Sequence, residues 1–325
     1  MNPPEARPVP LAAVRDAART LAGRAHRTPV LRHAGLDVDG RSVVCKAEHL
    51  QRAGSFKFRG AFNRISRIPD EDRAAGVVAV SSGNHGAAVA CAAELLGIPA
   101  TVFIPADTPV AKRCLIERHG AEIREFDRSI DDREAPARAL AAEREATFVH
   151  PFEDPLVMAG QGTVALELFE EVGSLDVLLV PMSGGGLMAG CASVAHEVAP
   201  SCELIGVEPA AADDTRRSFA AGHRVSVPAP TTIADGLALT TPGAATFAIN
   251  RRLVSDVVTV DDDEIRTAMR RFREMFGDLI EPSGVVGLAA LARHEDRWRG
   301  CSVGVVLTGG NIDEARFGEL TATDT

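Results

Sequence analysis

Gly76-Val77-Val78-Ala79-Val80-Ser81-Ser82-Gly83-Asn84-His85-Gly86 is the stretch that decides the fold class of this chain. Its first half is a short run of β-branched and small apolar residues, the pattern of a strand buried on both faces. A cluster of small polar residues follows, and the alanine-rich segment from Gly86 to Leu96 predicts a helix. The alternation continues downstream. Strands are predicted over Ala100 to Ile104, Ala121 to Phe126 and Thr147 to Val149, with helices over Val110 to His119 and Asp132 to Glu143. Upstream, Val43 to Ala47 reads as a strand and Ala61 to Ile68 as a helix. A second series starts near Gln161, with a helix to Val172, strand Val177 to Pro181, helix Leu187 to Val198 and strand Glu203 to Val207. Helices Asp263 to Phe276 and Val285 to Arg293 and strand Ser302 to Leu307 complete it. Apolar strands separated by helices imply parallel sheets covered on both faces. The expectation is two α/β domains with a site in the cleft between them, because ligands bind at the carboxyl ends of parallel strands.

Composition narrows the function classes. The 325 residues carry a net charge of −10, which disfavours a general binder of nucleic acid or of acidic membranes. Tyrosine is absent and aromatics are few, so a stacking platform for single strands is not expected. Cysteines 45, 91, 114, 191, 202 and 301 are scattered, without a Cys-x-x-Cys pair, and read as reduced core thiols. No apolar run reaches membrane-spanning length, and the N-terminus lacks a signal-peptide core. A cytoplasmic protein is expected.

Four junctions carry chemistry. The first is Gly54-Ser55-Phe56-Lys57-Phe58-Arg59-Gly60. Lysine occurs only three times, at 46, 57 and 112, against thirty-two arginines. A retained lysine suggests work for an amine, which can lose its proton and form an imine with a carbonyl, as a guanidinium cannot. Flanking phenylalanines suggest an apolar setting that lowers its pKa. The second junction is the Ser81–Gly86 turn, whose N–H groups at a helix start suit a carboxylate, though Ser and Asn are also ordinary caps. The third, Ser183-Gly184-Gly185-Gly186-Leu187, lets the backbone wrap a phosphate. It has neither the Gly-Lys-Ser/Thr of a nucleoside-triphosphate site nor dinucleotide Gly-x-Gly-x-x-Gly spacing. The fourth is Leu307-Thr308-Gly309-Gly310-Asn311, a hydroxyl beside two glycines after the last strand.

An imine-forming lysine, a phosphate cradle, a carboxylate turn and a hydroxyl together point to pyridoxal phosphate acting on an amino acid. The four motifs, in order, resemble those of the fold type II pyridoxal-phosphate enzymes, in particular the serine/threonine dehydratase and serine racemase branch. The resemblance runs from about Thr28 to Asp313. No regulatory extension follows Asp313, which favours the short, catabolic-type enzymes. It implies a tryptophan synthase β-like fold with a large cofactor-binding domain from residues 1–70 and 151–325, a small mobile domain from 71–150, and a homodimer.

The resemblance also implies roles. Lys57 would hold the cofactor covalently and act as base at Cα, Phe56 would flank the ring, and Asn84 would bond its 3-hydroxyl. Ser183, Gly184, Gly185, Gly186 and Leu187 would bind the phosphate, and Thr308 would face the pyridine nitrogen. A hydroxyl there does not enforce ring protonation, which weakens the electron sink and favours loss of a β-substituent over transamination. Ser82 matches a serine that exchanges a proton on the opposite face, with a capping role as its alternative. Ser81, Ser82, Gly83, His85 and Arg133 would bind the substrate carboxylate, although Arg133 reads equally as a surface arginine. Glu208, Ala212 and Asp214 offer two carboxylates and a carbonyl, hard oxygen ligands suited to a divalent cation such as Mg²⁺. The resemblance gives this spacing to a divalent site, and an acidic helix cap is the alternative. Leu239 stands where the mammalian-type racemase has a serine, and Glu153 and the Met182-Ser183 pair also depart from the pattern.

The sequence thus predicts an ammonia-lyase that converts a β-hydroxy amino acid, L-threonine or L-serine first, to a 2-oxo acid. A serine racemase, or a dehydratase for 3-hydroxyaspartate or a β-arylserine, remains open. So does a replacement-type synthase, and from another class a phosphate- or nucleotide-binding protein with an incidental lysine.

Overall fold

The computed structural model describes residues 7–127 and 134–322. It contains two sheets. The larger has six strands: β1 (Val30–Leu31), β2 (Ser42–Lys46), β7 (Val177–Pro181), β8 (Glu203–Pro209), β9 (Asp256–Val260) and β10 (Ser302–Val306), in the order β1-β2-β10-β7-β8-β9. All neighbours run parallel except β1 against β2. The smaller is wholly parallel, β5 (Glu122–Phe126), β4 (Ala100–Pro105), β3 (Val77–Val80) and β6 (Thr147–Phe148), side by side in that order. The central strands β7 and β8 are apolar and buried through nearly their whole length, as expected of strands covered by helices on both faces.

Twelve helices cover the sheets among the described residues: α1 (Leu11–Leu21), α2 (Lys57–Ile65), α3 (Asn84–Leu96), α4 (Val110–Glu117), α5 (Ala135–Glu143), α6 (Pro155–Val172), α7 (Gly186–Val198), α8 (Asp214–Ala221), α9 (Ala244–Leu253), α10 (Asp262–Phe276), α11 (Pro282–Arg293) and α12 (Glu314–Thr321). Sequence periodicity places α2 four residues late and α6 six residues late. Helix α6 starts where local capping puts it: the Asp154 carboxylate accepts from the N–H groups of Leu156 and Val157, with Pro155 opening the helix, whereas α2 starts at Lys57 without a side-chain cap. Sequence reading missed α1, α8, α9, α12, β1 and the edge strand β9. All six cysteines are free, but Cys114 is exposed and Cys301 half-buried, so only four are core thiols. No helix among the described residues is long and apolar enough to cross a membrane.

Two features fix the position of α2. Its backbone approaches α6 so closely that a Cβ on Gly160 would lie 2.6 Å from the Arg59 carbonyl oxygen, which only glycine permits. The second is a buried ion network. Arg59 spans Glu48 (2.8 Å to each carboxylate oxygen) and Glu167 (2.6 and 2.8 Å). Lys46 bonds Glu167 and the Thr28 carbonyl, each at 2.7 Å. Arg59, Lys46 and Glu48 are inaccessible to solvent. Removing one partner strands the others without compensation. Arg59→Met is therefore expected to lower unfolding free energy by about 3–5 kcal/mol, measured by urea denaturation.

Candidate active site

Lys57 is the first residue of α2, not a loop residue, and its helix start is stitched to the other end of the chain. Ser55 forms an antiparallel bridge with Gly309, Phe56 N–H donates to the Thr308 carbonyl (3.1 Å), and Gly310 N–H to the Gly54 carbonyl (2.9 Å). Two of the sequence motifs, some 250 residues apart, thus form one surface. The Lys57 ammonium donates to the Pro151 carbonyl at 3.0 Å and lies 5.2 Å from the centre of the Phe56 ring. Loss of hydration lowers its pKa to about 8. Phe58, on the other side, is wholly buried against Phe62.

The glycine loop leads from β7 into α7. Gly185 has φ +85°, which favours glycine. Helix α9 grips the loop from behind: Thr246 Oγ1 donates to the Gly184 carbonyl (2.5 Å) and Asn250 Nδ2 to the Gly185 carbonyl (3.1 Å). The backbone N–H groups of Ser183, Gly184 and Gly185 have no protein acceptor among the described residues. Gly186 and Leu187 add the free amides of a helix start, and the Leu187 side chain is buried beneath. The Phe152 ring packs against Gly184, so its place in the sequence is tied to a residue without a side chain. Glu153 accepts from Ala245 N–H at 2.8 Å and so anchors the start of α9. Met182 is buried, with its sulfur over Gly206. The departures at 153 and 182 are thereby accounted for as packing.

The Ser81–His85 turn ends β3 and opens α3. Gly83 N–H donates to Ser81 Oγ (3.1 Å), while Ser82 is half-buried with no side-chain partner among the described residues. The His85 ring braces the turn. Its Nε2–H donates backwards to the Val149 carbonyl (2.9 Å), and burial, then the Lys57 charge, pushes its pKa down to about 3. It is a neutral brace. Thr308 is buried, its hydroxyl donating over 3.3 Å to the Ser283 carbonyl. Asn84 reaches Glu281 Oε1 (2.5 Å) and Asn311 Nδ2 (2.7 Å). Glu281 was not singled out from the sequence, where it reads only as an acid before Pro282. Burial, reinforced by Asp235, pushes its carboxyl up to about 8. Lys112 of α4 pairs with Asp235. Arg133 lies outside the described residues.

A family model described as pyridoxal-phosphate dependent enzyme matches residues 21–309. The chain belongs to this family. A Pseudomonas relative named L-threo-3-hydroxyaspartate ammonia-lyase is 45% identical over 305 residues, spanning 94% of this chain and 96% of its own. A serine racemase of Oryza sativa subsp. indica is 43% identical over 306 residues, spanning 92% and 90%. The solved maize serine racemase aligns with a TM-score of 0.92 at 40% identity, over 96% of this chain and 97% of that one. The two parallel α/β sheets are those of a fold type II pyridoxal-phosphate enzyme.

The residues present fit the cofactor. A desolvated amine, unclaimed amides on a glycine loop at a helix start and a buried hydroxyl match an aldehyde, a phosphate and a ring nitrogen in kind. The Glu208 and Asp214 carboxylates can be judged against a cation in the same way. Asp214 is buried and neither carboxylate oxygen has a hydrogen-bond partner among the described residues. Glu208 is buried too, accepting only from the N–H groups of Thr215 (3.2 Å) and Arg216 (3.0 Å). Burial raises Asp214 to about 7, and burial with the charge of Asp214 raises Glu208 to about 8. Asp213 is occupied by Arg216 and Arg217 and is not available. Buried oxygens held against ionisation are what a divalent ion would satisfy.

The sign of these shifts gives a test. Both acids keep their protons longer in the folded state, so the unfolded state releases them first as pH rises. Chelator-treated protein should therefore lose stability between about pH 5 and 8 through this pair. Asp214→Asn should flatten that fall in the thermal midpoint, and an unchanged slope in the variant would count against the assignment.

Proposed function

We propose that this protein is an ammonia-lyase that eliminates water from a β-hydroxy amino acid, the product then hydrolysing to a 2-oxo acid and ammonia. One observation carries the reading: Lys57 is a half-buried amine with a pKa of about 8, held by a carbonyl and without an acidic partner among the described residues. The names of relatives support the reaction class. That of the Pseudomonas protein places L-threo-3-hydroxyaspartate beside L-threonine and L-serine as candidate substrates.

When bound, pyridoxal phosphate supplies the electron sink for bonds broken at the substrate Cα. Lys57 would hold the cofactor and would supply the amine that takes the Cα proton. The amides of Ser183–Leu187 take the phosphate, and those of the Ser81–His85 turn the substrate carboxylate. Asn84 addresses the ring oxygen, Phe56 the ring face and Thr308 the ring nitrogen. Ser82 is the second group able to carry a proton to Cα. Leu239, half-buried, offers no polar contact toward the β-substituent. Mg²⁺ is assigned to Glu208, Asp214 and the Ala212 carbonyl, with a supporting role because the electron sink lies elsewhere. The four-stranded sheet, spanning 77–148, falls within the 71–150 unit taken as the small domain.

A panel of L-threo-3-hydroxyaspartate, L-threonine, L-serine and a β-arylserine should yield 2-oxo acid with at least one member. Rapid build-up of D-amino acid with little 2-oxo acid would instead make the protein a racemase. Borohydride reduction and peptide mapping should place a pyridoxyl group on Lys57, and Lys57→Ala should lower turnover by at least about a hundredfold. A label on Lys46 or Lys112 would sink the reading. Adding Mg²⁺ after chelation should raise the thermal midpoint, and more at pH 8 than at pH 6.

A further inference from the structure

Asn84 is held by a fork whose hydrogen-bond direction is fixed. Asn311 Nδ2 donates both to Asn84 Oδ1 (2.7 Å) and to the Ala53 carbonyl (2.9 Å). The Ala53 oxygen can only accept, so the Asn311 atom between them is the nitrogen, and the Asn84 atom facing it is the oxygen. The other arm of the Asn84 amide is then its NH₂, which donates to Glu281 Oε1 at 2.5 Å. Of that group's two hydrogens, one is committed to Glu281 and the other remains for a further acceptor. The fork is built into rigid parts. Glu281 caps α11, with its own N–H on the Gly309 carbonyl (3.2 Å). Its carboxylate presses on Gly309 so closely that a side chain there would clash, one residue from Thr308.

We propose that Glu281 is a positioning residue that, with Asn311, orients the Asn84 amide so that it presents an N–H donor to the oxygen of the bound ring. This rests on the pyridoxal-phosphate reading above. A donor at that oxygen favours its ionised form, so the fork sets the protonation state of the cofactor without touching it. It also joins α3, beside the smaller sheet, to α11 and the turn after β10. Cofactor binding therefore meets a pre-oriented amide, whose rotation would otherwise have to be frozen on binding.

The test uses the cofactor-bound protein and reads its visible absorption and its dissociation constant. Glu281→Ala should weaken cofactor binding about tenfold and shift the band toward the protonated-ring-oxygen form. Glu281→Gln, which keeps an acceptor for Asn84, should restore both readouts to near the parent. In an Asn84→Ala background, Glu281→Ala should add no further shift, because its effect passes through Asn84. A parent-like spectrum and affinity in Glu281→Ala would overturn the proposal, as would a full shift in the Asn84→Ala background. Should Glu281→Ala fail to fold, Asn311→Ala must give the same shift, and an unshifted band there overturns it equally. Absence of any visible band in the parent protein is a different outcome, and it refutes the cofactor reading itself.

Discussion

The buried contact among Arg59, Glu48, Glu167 and Lys46 is the constraint on which the site depends. It is costly to assemble, since four charges leave water, and it holds only because each is met at hydrogen-bond distance. Its consequence is geometric. Arg59 lies two residues after Lys57 on the same helix, and its guanidinium is clamped to β2's continuation at Glu48 and to α6 at Glu167. Helix α2 can neither slide along α6 nor rotate. Its first residue, the one amine placed for chemistry, inherits that rigidity.

A second constraint closes the site. The Ser55–Gly309 bridge draws the end of the last strand against the start of α2, bringing Thr308 within one residue of the Lys57 turn. The glycine loop is shaped from outside in a comparable way. Thr246 and Asn250 take its carbonyls, so its amides are left over as donors. Burial then moves three groups of the site toward neutrality: Lys57 and His85 downward, Glu281 upward. A pocket biased against charge in the resting protein is one in which an incoming phosphate or carboxylate meets dipoles in place of competing ions.

Much of this was legible in the sequence because it is encoded locally. The strand before Ser81, the run of glycines after Ser183 and the rarity of lysine are features of adjacent residues or simple counts. What was not legible depends on contacts distant in the chain. Glu281 acquires meaning only when folding sets it against Asn84, 197 residues away. The His85 ring finds its partner in the Val149 carbonyl, 64 residues on. Glu153 and Met182 had no reading until α9 and Gly206 supplied their partners. The start of α6 was misplaced because apolar periodicity marks a helix's buried middle, whereas the Asp154 cap decides its end.

The three lysines show how one residue type is sorted by its surroundings. Lys46 is enclosed between Glu167 and the Thr28 carbonyl, where a compact ammonium fits among groups already crowded by Arg59. Lys112 meets Asp235. In both cases an adjacent carboxylate sets a full negative charge against the ammonium. Lys57 is different in its partner, a carbonyl, which accepts a hydrogen bond without contributing a full negative charge. Desolvation therefore acts on it unopposed, and the amine approaches neutrality near physiological pH. A carboxylate in place of the Pro151 carbonyl would hold the ammonium just as well, and would oppose the desolvation that lowers its pKa.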